Sequence, residues 1–185
     1  MIFVWIVVIL VVLAIGYAVL TYNGLVSMRN RIENAWAQID VQLKRRYDLI
    51  PNLVETVKGY AAHERGTLEA VVQARSMAMA AKNPGDQAAA ENMITGALKS
   101  VFALSEAYPE LKANQNFGQL QEELSGTEGR IAYARQFYND VVNKYNTKVQ
   151  TFPSVLIAKR FGFQEREYFE ADDDSRGPVT VDFSS

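Results

Sequence analysis

The chain has 185 residues, with 19 Lys and Arg against 21 Asp and Glu. That length suits one domain with an appendage, and the charge balance gives no global attraction to nucleic acid. Cysteine is absent, which excludes disulfides, thiolate catalysis and thiolate metal ligation, so packing alone must hold the fold.

No charged side chain precedes Arg29, and Ile2 to Leu20 is an almost unbroken apolar run. As a helix it would span roughly 28 Å, about one hydrocarbon core. A cleaved signal peptide would want a basic start and an apolar core of only ~7–15 residues. Neither is present, although Ala14 and Gly16 form a weak cleavage candidate. Trp5 near one end, and Tyr17 and Tyr22 near the other, fit an interfacial aromatic belt. We therefore expect residues 1–22 to be a retained transmembrane anchor. Arg29 and Arg31 follow the span and no cation precedes it, which puts the rest of the chain on the cytoplasmic side.

Only "TYNG" separates this run from a heptad pattern. Leu25, Ile32, Ile39, Arg46, Leu53 and Tyr60 lie seven apart, and Trp36, Leu43, Ile50, Val57, Glu64, Val71 and Ala78 interleave. Such rows predict a coiled-coil-like seam to about Ala81. Pro51 falls inside it and predicts a kink or short break, because it offers no N–H to the Tyr47 carbonyl. "KNPGD" predicts a turn at Pro84 and Gly85 with Asp86 as N-cap. A helix from about Gln87 to Ala107 follows, closed by Pro109. Asn116 with Gln119 suggests a capping box for the last long helix. There, Phe117, Leu124, Ile131, Tyr138, Tyr145 and Phe152 step by seven up to Pro153. "SVLIAKRFGF" adds a short amphipathic turn, and no stretch reads as a strand.

The fold expected is all-α: a transmembrane helix followed, over 23–163, by an antiparallel bundle of three to four long helices. Between Glu165 and Asp182 stand seven acids and two arginines without helical period, so 164–185 reads as an acidic, largely disordered tail.

The run Lys44–Arg45–Arg46 raises the question of a binding patch. Successive helical residues lie ~100° apart, so the three cover about 200° and form no flat surface. Lys44 would sit roughly 36 Å beyond Leu20 along a continuous helix, several Debye lengths from lipid headgroups. The heptad puts Arg46 in the seam, where a buried charge must be paired. Glu64 stands in the second row, and Glu128 and Arg135 flank the last helix's row. We expect buried or half-buried ion pairs that fix register. The residues expected to form this structural seam are Trp36, Arg46, Pro51, Glu64, Tyr138 and Tyr145.

Chemistry is sparse. His63–Glu64 suggests a zincin, but the motif needs a second histidine four residues on, where Thr67 stands. One histidine and no cysteine make no typical zinc site, and no Glu-x-x-His pairs for a di-iron site are present. No phosphate loop appears, and Ser105, Ser125 and Ser154 have no nucleophile-elbow context. No catalytic residue, metal or cofactor is expected. The pairs Tyr22–Asn23, Tyr138–Asn139 and Tyr145–Asn146 read as seam tyrosines with hydrogen-bonding neighbours more readily than as a recognition feature.

The stretches "YNGLV", "AWAQIDVQLKRRYDLIPNLVETVKGYAAHE", "EAYPELKANQNFGQLQEEL", "TEGRIAYARQFYNDVVNKYN" and "FP" occur in this order from about Tyr22 to Phe169. In this the chain resembles the bacterial LemA family. The resemblance implies an N-terminal anchor, a long-helix bundle and no established catalytic activity. It also implies residence in the bacterial cytoplasmic membrane. Genes of the family often neighbour those of a membrane zinc protease of the HtpX type or a TPM-domain protein, which makes these candidate partners. One relative works at magnetosome membranes. The function expected is that of a non-enzymatic, self-assembling scaffold or adaptor. It would serve envelope protein quality control or membrane organisation, with the lipid bilayer and further copies as partners. A membrane-tethered signalling bundle is the alternative.

Overall fold

A computed structural model describes residues 1–169. Its elements are α1 (Ile2–Lys58), α2 (Arg65–Ala80), α3 (Pro84–Ala107), α4 (Pro109–Lys112), α5 (Gln115–Gln150) and α6 (Ser154–Arg160). The fold is all-helical, and no strand occurs among the described residues.

α1 is one helix from the apolar run to Lys58, and Pro51 does not break it. Of the kink or short break expected here, the break is absent, and the local bonding supplies a reason. The Tyr47 carbonyl, deprived of its partner by Pro51, accepts a hydrogen bond from Arg75 Nε of α2 at 2.8 Å. Pro51 itself faces solvent. Arg75→Met should cost about 1–2 kcal/mol on urea unfolding. In a Pro51→Ala background residue 51 regains an N–H for that carbonyl, so the cost should shrink. Equal costs in the two backgrounds would show that the guanidinium does not serve this carbonyl.

The seam does not continue as one helix to Ala81. α1 stops at Lys58, and the N–H groups of Tyr60 and Ala61 fold back onto the Val57 carbonyl. Gly59 follows that last residue and is a poor helix former. Ala61 is buried by the reversal. Leu68, Val71, Ala74 and Ala78 then turn one face of α2 inward. Two caps also differ from expectation. Asn83, not Asp86, caps α3: its side chain accepts from the Asp86 N–H at 2.7 Å, with Pro84 in the first turn. Pro is preorganised for that position, so the helix starts three residues before Gln87. Asn114, not Asn116, receives the Phe117 N–H at 3.0 Å at the start of α5.

The chain divides into two compact units. One comprises Met1–Val41 and Ala132–Tyr168, and the other is built on Gln42–Ile131. In the first unit α1 and α5 are antiparallel. The Lys148 ammonium lies against Gly24, and the Trp36 and Tyr138 rings meet edge to face at 5.4 Å. Leu25, Ile32 and Ile39 are buried here, as are Tyr138, Val142 and Tyr145. In the second unit the same sense is marked by Arg45–Glu123 at 3.5 Å and by Asn114 Nδ2 donating to the Tyr60 hydroxyl at 2.9 Å. Its core includes Ile50, Leu53, Val57, Ile94, Leu98 and Phe117.

α6 ends on Gly162 at φ 72°, a left-handed position that suits glycine. The Phe163 N–H reaches back to the Ala158 carbonyl at 2.9 Å, a Schellman closure. Most of the expected acidic tail, residues 170–185, lies outside the described residues.

Candidate functional site

Of the three adjacent cations, Lys44 and Arg45 face solvent and Arg46 is buried. Arg45 reaches Glu123 at 3.5 Å with both side chains about half exposed, a pair worth little. Arg46 and its partner Glu91 retain 2% and 1% of their side-chain exposure, at 3.1 Å. The partner comes from α3, where Gln87, Glu91 and Thr95 stand at four-residue spacing on one face.

The cluster is densely bonded. Arg46 Nη2 donates to Thr95 Oγ1 at 2.8 Å, and the Tyr47 hydroxyl donates to Glu91 Oε1. Gln87 Nε2 donates to the Tyr47 oxygen at 2.7 Å and to Glu91 Oε1 at 3.2 Å. Burial first, and then the bond to Glu91, hold the Tyr47 hydroxyl's pKa well above the ordinary tyrosine range. It keeps its proton and remains a donor. Arg46 Nε and Gln42 Oε1, one turn apart on α1, are buried without a hydrogen-bond partner among the described residues. With the bond from Arg75 to the Tyr47 carbonyl, side chains of α1, α2 and α3 are joined at this level. Neither member of the charged pair is open to a substrate. The arrangement can fix helix register, and it offers no accessible acid, base or nucleophile.

The other seam residues are distributed over both units. Trp36 is half-buried while Ala35 beside it is fully buried, so the ring covers the seam's margin. Tyr138 is buried, and its hydroxyl donates to the Glu167 carbonyl at 2.9 Å. Tyr145 is buried beside a recess lined by Arg29, Gly162 and Arg166. Glu64 is half-buried at the start of α2 and accepts from the Tyr108 hydroxyl at 3.1 Å. His63 lies exposed in the preceding turn. Among the described residues no three of His, Cys, Asp and Glu are grouped to hold a metal.

Sequence reasoning missed Glu91 and the clasp around Asn146. The Asn146 side chain donates to the Arg166 carbonyl and accepts from the Arg166 N–H, both at 2.8 Å. The extended residues after α6 are thus bonded to α5, and Tyr168 adds a 3.3 Å bond to Asn143 Oδ1. A signal existed for Glu91 in the polar row Gln87–Glu91–Thr95 of an alanine-rich helix. Asn146 was marked as a hydrogen-bonding neighbour of Tyr145, but its partner was not legible because it is backbone.

Helix α1 carries a stretch long and apolar enough to cross a membrane, none of it buried, and it continues into an all-helical body. These features describe a membrane-associated helical protein without a recognisable catalytic constellation among its described residues. The sequence model of the LemA family matches residues 35–183, and the chain belongs to that family. The match runs past Phe169, where the resemblance read from the motifs ends. The chain is 29% identical to "Protein LemA" of Metamycoplasma hominis, over 94% of this chain and 80% of that protein. It is 24% identical to "Magnetosome protein MamQ 2" of Paramagnetospirillum magneticum, over 86% of this chain and 68% of the relative. "Magnetosome protein MamQ" of Magnetospirillum gryphiswaldense is also 24% identical, over 80% of this chain and 64% of its own length.

Proposed function

We propose that this protein is a non-enzymatic scaffold or adaptor, fixed in the bacterial cytoplasmic membrane by residues 2–20 and self-associating there. The observation that carries this reading is α1 itself. The apolar run and the helix that packs the body are one element, Ile2–Lys58, so no flexible linker separates them. The closed Arg46–Glu91 cluster supports a structural rather than a chemical role. Arg29, Arg31 and the Lys148 ammonium beside Gly24 favour the cytoplasmic side for the body. The adaptor's clients would be a membrane zinc protease of the HtpX type or a TPM-domain protein, drawn into membrane organisation or quality control. The same unbroken helix also favours a second reading, a bundle that passes a signal across the membrane.

Carbonate extraction should leave the full chain in the membrane pellet, and cross-linking in native membranes should give multimers. Release by carbonate, or a mature chain starting at Tyr17, overturns the anchor. A monomer by light scattering in detergent, with no multimers on cross-linking, overturns self-assembly.

A further inference from the structure

The end of the first unit that carries α6 presents apolar side chains that its own fold does not cover. Phe152 is 80% exposed, Leu156 59% and Phe161 57%. α6 buries Ser154 and Ala158 on one side. At 100° per residue Leu156 then falls on the opposite side, flanked by Lys159 and Arg160. An apolar ridge edged by cations, on a helix this short, has no role in the core.

Its position in the unit is fixed by contacts. The Phe161 ring meets Tyr22 edge to face at 4.9 Å, and Phe163 meets the same ring at 5.6 Å. Tyr22 is two residues, roughly 3 Å of helix, past Leu20, where the apolar run ends. The Lys148 ammonium lies against Gly24. α5 runs toward lower α1 numbers, so its end at Gln150 and the following Phe152 come level with the end of that run.

Charge in the segments that form this end is mostly of one sign, with Glu165 the acid nearest by, in the recess beside Arg29 and Gly162. α1 has no acidic residue before Glu33, and none occurs between Val141 and Gln164. The charged side chains of those two segments are Arg29, Arg31, Lys144, Lys148, Lys159 and Arg160.

We propose that Phe152–Phe161 is a second membrane contact. In it Phe152, Leu156 and Phe161 enter the interfacial layer of the leaflet that α1 leaves, and Lys159 and Arg160 bind anionic headgroup phosphates. Basic amphipathic segments bind this way, with stems in the apolar layer and charges at the phosphates. The occupant is a lipid surface because the exposed ridge is level with the span's end and its charges match anionic headgroups. The inference rests on the reading that residues 2–20 span the bilayer.

The chain has no cysteine, so single spin labels can be placed cleanly. Variants Phe152→Cys, Leu156→Cys, Gln136→Cys and Leu10→Cys of the full chain are labelled and reconstituted in phosphatidylcholine vesicles with and without phosphatidylglycerol. Collision of each label with oxygen and with a neutral nickel chelate is then measured. Labels at 152 and 156 should lose nickel collision several-fold relative to 136 and gain oxygen collision, most strongly with phosphatidylglycerol. Lys159→Ser with Arg160→Ser should abolish the dependence on phosphatidylglycerol while leaving the label at 10 protected. Labels at 152 and 156 that collide with nickel as freely as 136, while 10 is protected, overturn this contact and leave the anchor standing. A label at 10 open to nickel overturns the anchor itself. Protection at 152 and 156 that vanishes on dilution to one protein per vesicle means that a second copy covers the ridge, and it also overturns the proposal.

Discussion

Arg46→Ala should lower the unfolding free energy by ~3–5 kcal/mol, whereas its neighbour Lys44→Ala should change it by no more than about 0.5 kcal/mol. The contrast follows from their surroundings. Lys44 is exposed, while removing Arg46 leaves the Glu91 carboxylate 1% exposed without its cation. Replacing both partners, as Arg46→Met with Glu91→Leu, should recover much of the loss, because well-packed apolar residues often match a buried pair. Arg46 Nε already lacks a partner among the described residues, so the native pair is itself imperfectly satisfied. Urea unfolding, run beside liposome flotation at two salt concentrations, decides the matter. If Arg46→Ala melts like the parent but loses salt-sensitive flotation, the run is a ligand site and the structural reading is wrong.

The second large effect is at Tyr138. Tyr138→Ala should cost ~3–5 kcal/mol, since it empties a buried aromatic position. Tyr138→Phe, which deletes only the bond to the Glu167 carbonyl, should cost about 1 kcal/mol. Burial also raises the pKa of this hydroxyl, so it remains a donor at neutral pH. Trp36→Ala should cost less than Tyr138→Ala because Trp36 is only partly buried. A loss under about 0.5 kcal/mol at Tyr138, measured by urea unfolding, would mean that the assigned face of α5 is wrong.

The helices and their apolar faces were legible because a period of seven survives wherever two long helices meet. Leu25, Ile32, Ile39, Tyr138 and Tyr145 were found that way. The same rows overshot at Glu64, since periodicity records face and not continuity, and the reversal after Lys58 keeps the apolar phase. Arg46 stood out as a charge in an apolar row. Glu91 stood in a polar row of an alanine-rich helix, but its pairing with Arg46 was not legible, because contact between α1 and α3 depends on how the chain returns after two turns. The caps shifted by two or three residues for a simpler reason. Several Asn and Asp side chains compete at each helix start, and Pro84 decides one contest in favour of Asn83. That the helix continues through Pro51 was not legible, because the Tyr47 carbonyl is served by Arg75, 28 residues away.

The clasp at Asn146 carries a consequence for how this sequence can drift. Asn146 grips the N–H and the carbonyl of residue 166 and ignores its side chain. The side chain of Arg166 makes a loose, exposed approach of 3.9 Å to Glu33, which contributes little, and its charge lies near enough to the Tyr138 and Tyr145 hydroxyls to lower their pKa values against the effect of burial. The two members of one interaction are therefore under unequal selection. As far as the clasp is concerned, residue 166 need only keep an N–H, which excludes proline, although a cation there also faces the Tyr138 and Tyr145 hydroxyls. At 146 only a side chain with both a donor and an acceptor at that reach will serve, and even aspartate would leave a buried carbonyl unpaired. A position that looks arbitrary in the sequence is thus held by one that looks merely polar, and divergence can proceed at the first without loosening the second.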